Sequence, residues 1–137
     1  MKKTELNDLT LSSGSHSGKD GQCLMEACAM IAGETKGDHP ACVYAPFAAA
    51  GRVINDAEWE SDAARTEHLK KYIPLMIGTS HYADKPAVAV AVAQCAAKVA
   101  RKFAANFDPE LTSSQRIALN GPELLDALLA AAESAAK

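Results

Sequence analysis

The residues best able to do chemistry are concentrated in the stretch 20–42, DGQCLMEACAMIAGETKGDHPAC, which holds three of the four cysteines. His39 and Cys42 are separated by two residues, a spacing at which both side chains can ligate one metal ion. Together with His16 and Cys23 they make a two-nitrogen, two-sulfur set that suits tetrahedral zinc. The interpretation that the sequence favours is that no metal binds, with Cys23 and Cys28 as small buried side chains and His39 capping a loop; zinc is the alternative.

A cysteine nucleophile is a second interpretation of the same stretch. The run from Asp20 to Leu24, DGQCL, followed by Ala27, resembles the nucleophile motif of ovarian-tumour-type cysteine proteases, Asp-Gly-x-Cys-Leu-x-x-Ala. The resemblance implies that Cys23 is the nucleophile at the start of a helix, with backbone N–H groups nearby as the oxyanion hole. It also implies that His81, which precedes an aromatic residue, is the general base.

A wider pattern covers roughly residues 20–79. It consists of DGxCxMEA, AGE, DHPxC, ND, and IP followed by IGT. This set resembles a family of small uncharacterised bacterial and phage proteins. The resemblance implies a shared fold and a bacterial or phage origin, and it brings no activity with it.

Helical spacing and helix boundary residues predict an all-α, single-domain bundle of five to six helices over 20–137, with a flexible N-terminal arm over 1–19. Asp20 is the predicted N-cap of the first helix. Proline is expected at the start of several helices, because its fixed φ suits the first turn. The predicted helices are 21–32, 46–56, 58–72, 86–106, 108–119 and a last one from Pro122 to the C-terminal end.

Composition limits the class of protein. Hydrophobic residues make up 48 % and charged residues 23 %, which is ordinary for a soluble globular domain. The net charge of -3 and the pI near 5.8 argue against a general nucleic-acid binder. No apolar run reaches the length of a membrane span, and the first residues lack the apolar stretch of a signal peptide. We therefore expect a cytoplasmic protein with reduced or metal-bound cysteines.

The predicted contact surface is an acidic turn around the single tryptophan. Its residues are Asp56, Glu58, Trp59, Glu60 and Asp62. Tryptophan with flanking charge is typical of interface anchors, although a core tryptophan at a helix start is the alternative.

Glu26 lies one turn after Cys23 and is predicted to form a structural ion pair with Arg52. The function favoured by the sequence is a small helical module that binds a protein partner, as a phage or mobile-element regulator or inhibitor of a host system. A Cys23-dependent thiol hydrolase and a zinc-stabilised adaptor are the alternatives. Exposed alanine-rich helix faces would also permit a homodimer.

Overall fold

The structure is a computed structural model that describes residues 6–14 and 21–137. In chain order its helices are α1 (Leu24–Ile31), α2 (Ala45–Asn55), α3 (Asp62–Leu69), α4 (Ile73–Met76), α5 (Pro86–Ala105) and α6 (Ser113–Ala135). Short 3-10 turns at Lys70–Tyr72 and Thr79–Asp84 join α3 to α4 and α4 to α5. The described residues contain no β-strand, only an isolated parallel bridge between Leu11 and Gln22. The predicted all-α single-domain bundle is confirmed.

The short helix α1 is the centre of the bundle. Every residue from Leu24 to Ala29 is fully buried, so this part of the helix is enclosed on all sides rather than on one apolar face. It packs against α2 and α4, which contribute Phe47 and Ile73 to the core. The last helix adds Leu125 to the same core. None of the helices among the described residues has both the length and the apolar character needed to cross a bilayer.

The predicted start of the first helix is wrong by three residues. The helix begins at Leu24, and its N-cap is Cys23 rather than Asp20, which lies outside the described residues. The reason is local: Gly21 has a φ of 125°, which no helix start allows. Cys23 and Glu26 then satisfy each other's backbone N–H groups in a capping box.

The third predicted helix also begins later, at Asp62 instead of residue 58. Ser61 is its N-cap, and the Ser61 Oγ accepts a hydrogen bond from the Ala64 N–H at 3.0 Å. The preceding residues form a turn, in which the Trp59 N–H donates to the Ala57 carbonyl at 3.1 Å. This turn displaces the helix start, although Asp62 in the first turn of the helix still lies at the positive end of the helix dipole.

The predicted break between the last two helices is wrong. One continuous helix, α6, runs through the sequence Asn120-Gly121-Pro122. An interior proline costs about 3 kcal/mol of helix propensity. The buried leucines that follow the proline, Leu125 and Leu128, are each worth about 2 kcal/mol when removed from water, and together they offset this cost.

Residues 6–14, predicted as part of a flexible arm, are packed against the bundle. Leu11 is fully buried, and its N–H donates to the Thr66 Oγ1 at 2.8 Å. The burial of Leu11, worth about 2 kcal/mol, holds the segment together with further contacts, among them the packing of Leu6 and Leu9 against the core and a hydrogen bond from the Asn55 Nδ2 to the Ser12 carbonyl oxygen. The remaining part of the predicted arm lies outside the described residues.

Candidate functional site

The thiol of Cys23 is enclosed at the N-terminus of α1. The residue is 3 % exposed, and its Sγ accepts a hydrogen bond from the Glu26 N–H at 3.4 Å. Burial raises the pKa of this thiol to about 11, and the neighbouring Glu26 carboxylate adds to the rise. The thiol is therefore protonated at neutral pH, whereas a cysteine nucleophile needs its thiolate.

His81 is not arranged as a base for Cys23. Its Nδ1 is 2.7 Å from the Gly78 carbonyl oxygen, and its exposed ring rests against Tyr82 with the ring centroids 4.4 Å apart. Both His81 and Cys23 are described, and no hydrogen bond joins them. The geometry therefore gives no support to the thiol-hydrolase alternative.

We expect Cys23 to be among the slowest thiols of the chain to react with iodoacetamide at pH 7.5. A pKa near 11 instead of the ordinary 9.0 leaves about 100-fold less thiolate. Its rate should rise about tenfold per pH unit as the pH approaches 11. Peptide mapping by mass spectrometry gives each cysteine's rate, with the half-buried Cys95 as an internal reference. Labelling of Cys23 before Cys95 near neutral pH would contradict this geometry.

The predicted zinc ligands have other partners in the structure. The Glu34 carboxylate accepts hydrogen bonds from the Cys42 N–H at 2.9 Å and from the Ala41 N–H at 2.7 Å. The pKa of the Glu34 carboxyl is lowered, mainly because it accepts a hydrogen bond from the Cys42 thiol. The His39 ring is mostly exposed and contacts Asp38 at 2.7 Å. Within residues 6–14 and 21–137, no group of three or more His, Cys, Asp or Glu side chains could hold a metal ion, and His16 lies outside these ranges.

The structure does not bring Glu26 and Arg52 together. The Glu26 Oε1 accepts from the Cys23 N–H at 2.8 Å, one turn away on its own helix. The Arg52 Nη1 donates instead to the Asp38 carbonyl oxygen at 3.0 Å, which ties α2 to the loop after α1. A capping role needs only local spacing, so it competes effectively with a long-range ion pair.

Trp59 is fixed in place by its own contacts. Its Nε1 donates to the Ile54 carbonyl oxygen at 2.9 Å, and its ring is stacked on the ring of His68 with centroids 5.5 Å apart. The side chain is only partly buried. This arrangement combines a held aromatic ring with a solvent-accessible face, which is how interface anchors are presented.

The four acids of the predicted contact surface differ in the hydrogen bonds and ion pairs that they make. Asp56 accepts from the backbone of the N-terminal segment, and Glu58 accepts from the hydroxyl of Thr112 at 3.2 Å. Asp62 forms an ion pair with an arginine of α3. Glu60 is exposed and makes neither a hydrogen bond nor an ion pair within the part of the chain that the structure describes. Glu60 is therefore the acid most available to a partner.

Trp59 lies in a groove of about 520 Å³ between the acidic turn and α6, which we name the Trp59 groove. Its lining includes Glu58, Trp59, Glu60, His68, Leu111, Leu119 and Pro122. Leu119 is 67 % exposed. The sequence located the tryptophan and the acids but not Leu119, because the predicted helix break placed that residue at the end of a separate helix. No sequence signal indicates which residues of α6 face the turn.

Comparison with protein-family models, with curated proteins and with solved structures gave no match to this chain. The resemblance to small bacterial and phage proteins therefore stays a prediction of the sequence.

Proposed function

We propose that the chain is a protein-binding module whose Trp59 groove takes an apolar segment of a partner. The observation that carries the proposal is Leu119, 67 % exposed in the same groove as Trp59. An exposed leucine beside an accessible aromatic ring offers apolar area that only a partner can remove from water. Central apolar and aromatic anchors of this kind supply most of the energy in protein–protein binding.

Charge along the groove indicates what the partner segment carries. Glu58 and Glu60 are exposed on its edge, and its described lining contains neither lysine nor arginine. Opposite charges across an interface steer association and reject wrong partners. The preferred partner segment therefore has lysine or arginine beside its apolar anchor. The resemblance to bacterial and phage proteins supports the further proposal that this partner belongs to a host system that the chain regulates.

The proposal can be tested with two designed peptides and one intrinsic probe. Both peptides carry leucines at helical spacing, flanked by lysines in one (the Lys peptide) and by glutamates in the other (the Glu peptide). Trp59 is the single tryptophan of the chain, so its fluorescence reports on this groove alone. We expect the Lys peptide to change the Trp59 emission. Leu119→Ser should weaken its binding about tenfold or more, since losing one central anchor costs at least 1 to 2 kcal/mol. Glu60→Lys should weaken it as well, because a lysine on the edge of the groove repels the lysines of the peptide.

Matched controls separate the groove from the general surface. Leu75→Ser removes a leucine of similar exposure (55 %) elsewhere, and Glu67→Lys makes the same charge reversal on α3. Both should bind the Lys peptide like the wild type. The proposal fails if the Lys peptide leaves the Trp59 emission unchanged, or if the controls weaken binding as much as the groove variants. Glu60 is preferred to Glu58 for this test because Glu58 also holds the Thr112 hydroxyl.

A further inference from the structure

A second apolar surface lies on a different face of α6, against α2 and α5. It is a groove of about 570 Å³, and its lining includes Val53, Phe103, Phe107 and Ile117. Val53 and Phe107 are 57 % and 54 % exposed. Several large apolar side chains exposed together mark an interaction surface, whereas scattered ones do not. We name it the Phe107 groove; the described residues that line it are all different from those of the Trp59 groove.

This groove continues along α5 as a row of exposed apolar residues. The row is spaced alternately by three and four positions and consists of Val90, Ala93, Ala97, Ala100 and Ala104, and the exposed Phe107 follows just after the helix ends. Alternating three- and four-residue spacing is the pattern of a seam between two helices. From Val90 to Ala104 the row extends about 21 Å, at 1.5 Å per residue. A partner helix of about four turns matches this length.

The charged side chains of α5 are all positive, and Arg101 lies beside the row, one turn from both Ala97 and Ala104. The 20 residues of α5 include no aspartate or glutamate. Lys98 and Arg101 are exposed, and neither has an ion pair within the described part of the chain. Lys102, by contrast, is paired with Glu123 at 2.8 Å. The one charged side chain in the described lining of the groove, Arg116, is also a cation, with its guanidinium carbon 4.0 Å from the Phe107 ring centroid.

We propose that this face of α5 and the Phe107 groove bind an acidic amphipathic helix of a partner protein. The apolar face of that helix packs on the alanine row, and its carboxylates pair with Lys98 and Arg101. A second copy of this chain fits less well. An antiparallel twofold pair centred between Ala97 and Ala100 would bring the cations of both copies to the same stretch of the seam, where like charges repel. The chain therefore presents two separate surfaces of opposite charge preference.

The Glu peptide and the Lys peptide also test this surface, with fluorescein at the N-terminus and anisotropy as the readout. The protein carries Leu119→Ser, so that the Trp59 groove does not contribute. We expect the Glu peptide to bind and the Lys peptide to bind at least tenfold more weakly. Lys98→Glu with Arg101→Glu should reverse this preference. Ala100→Glu, an exposed change in the row itself, should abolish binding of the Glu peptide.

The controls are Lys71→Glu, a charge reversal outside α5, and Leu75→Ser, both of which should bind the Glu peptide normally. Circular dichroism of each variant checks that the helices are retained. Equal affinity for the two peptides, or no binding of the Glu peptide, would overturn the proposal. So would sedimentation equilibrium showing a wild-type dimer that Ala100→Glu dissociates, because the occupant would then be a second copy.

Discussion

Replacing Asn55 by alanine is expected to lower the free energy of unfolding by about 3 kcal/mol. The side chain is fully buried at the end of α2. Its Oδ1 accepts from the Leu24 N–H at 3.0 Å, and its Nδ2 donates to the Ser12 carbonyl oxygen at 2.9 Å. Alanine would leave an N–H of the first turn of α1 and a carbonyl of the N-terminal segment without these partners. Each buried polar group left unsatisfied costs about 1 to 3 kcal/mol.

Urea denaturation followed by circular dichroism measures this loss, and Asn106→Ala is the matched control. Asn106 is exposed, and its Nδ2 donates only to the Lys102 carbonyl on its own helix, so its replacement should change stability by less than about 0.5 kcal/mol. Amide exchange of Leu24 should also accelerate in Asn55→Ala. A stability equal to that of Asn106→Ala would show that Asn55 does not link these segments.

The helices that the sequence placed correctly are those whose ends depend on local chemistry. Pro86 begins α5 because its fixed φ suits a first turn, and the predicted helix 86–106 is confirmed to within one residue. The helix predicted over 46–56 corresponds equally closely to α2. Such signals act within one turn of the chain, so they can be read without knowledge of the tertiary contacts.

The N-cap of α1 shows that local sequence signals do not predict every helix end. The Glu26 carboxylate, predicted to pair with Arg52, caps its own helix instead. The capping box has a sequence signature, Ser or Thr followed three residues later by Glu or Gln. Cys23 in the first position does not match this signature, because a thiol is a weaker hydrogen-bond acceptor than the hydroxyl of Ser or Thr.

Only some residues of the two candidate sites could be predicted from the sequence, and the reason is different. Trp59 and the acids around it are adjacent in sequence, so the acidic turn could be identified from composition alone. Leu119 is 60 residues further along the chain than Trp59. It joins these residues only because of the way α6 packs. The row on α5 has a readable spacing, but the sequence cannot show that this face lacks a partner within the fold. That depends on which side of α5 packs against α6.

Replacing Gly121 by alanine is expected to lower the free energy of unfolding by about 1 to 2 kcal/mol, although alanine favours a helix interior by about 1 kcal/mol over glycine. Gly121 lies where α6 packs directly against Ile54 of α2. An added Cβ would lie 2.5 Å from the Ile54 Cγ2 and 3.0 Å from its Cγ1. These atoms branch directly from the Cβ of a buried residue, so the helices themselves must separate.

Gly51→Ala in α2 is the matched control, since both glycines are buried within helices. Its added Cβ would lie 2.8 Å from the Met25 Cε, the free end of a flexible side chain that can rotate away. We therefore expect Gly51→Ala to leave stability unchanged or to raise it by up to about 1 kcal/mol. In an Ile54→Ala background, which removes the clashing atoms, Gly121→Ala should also be neutral or stabilising. A coupling energy near zero in this double-mutant cycle would mean that Ile54 is not what demands glycine at position 121.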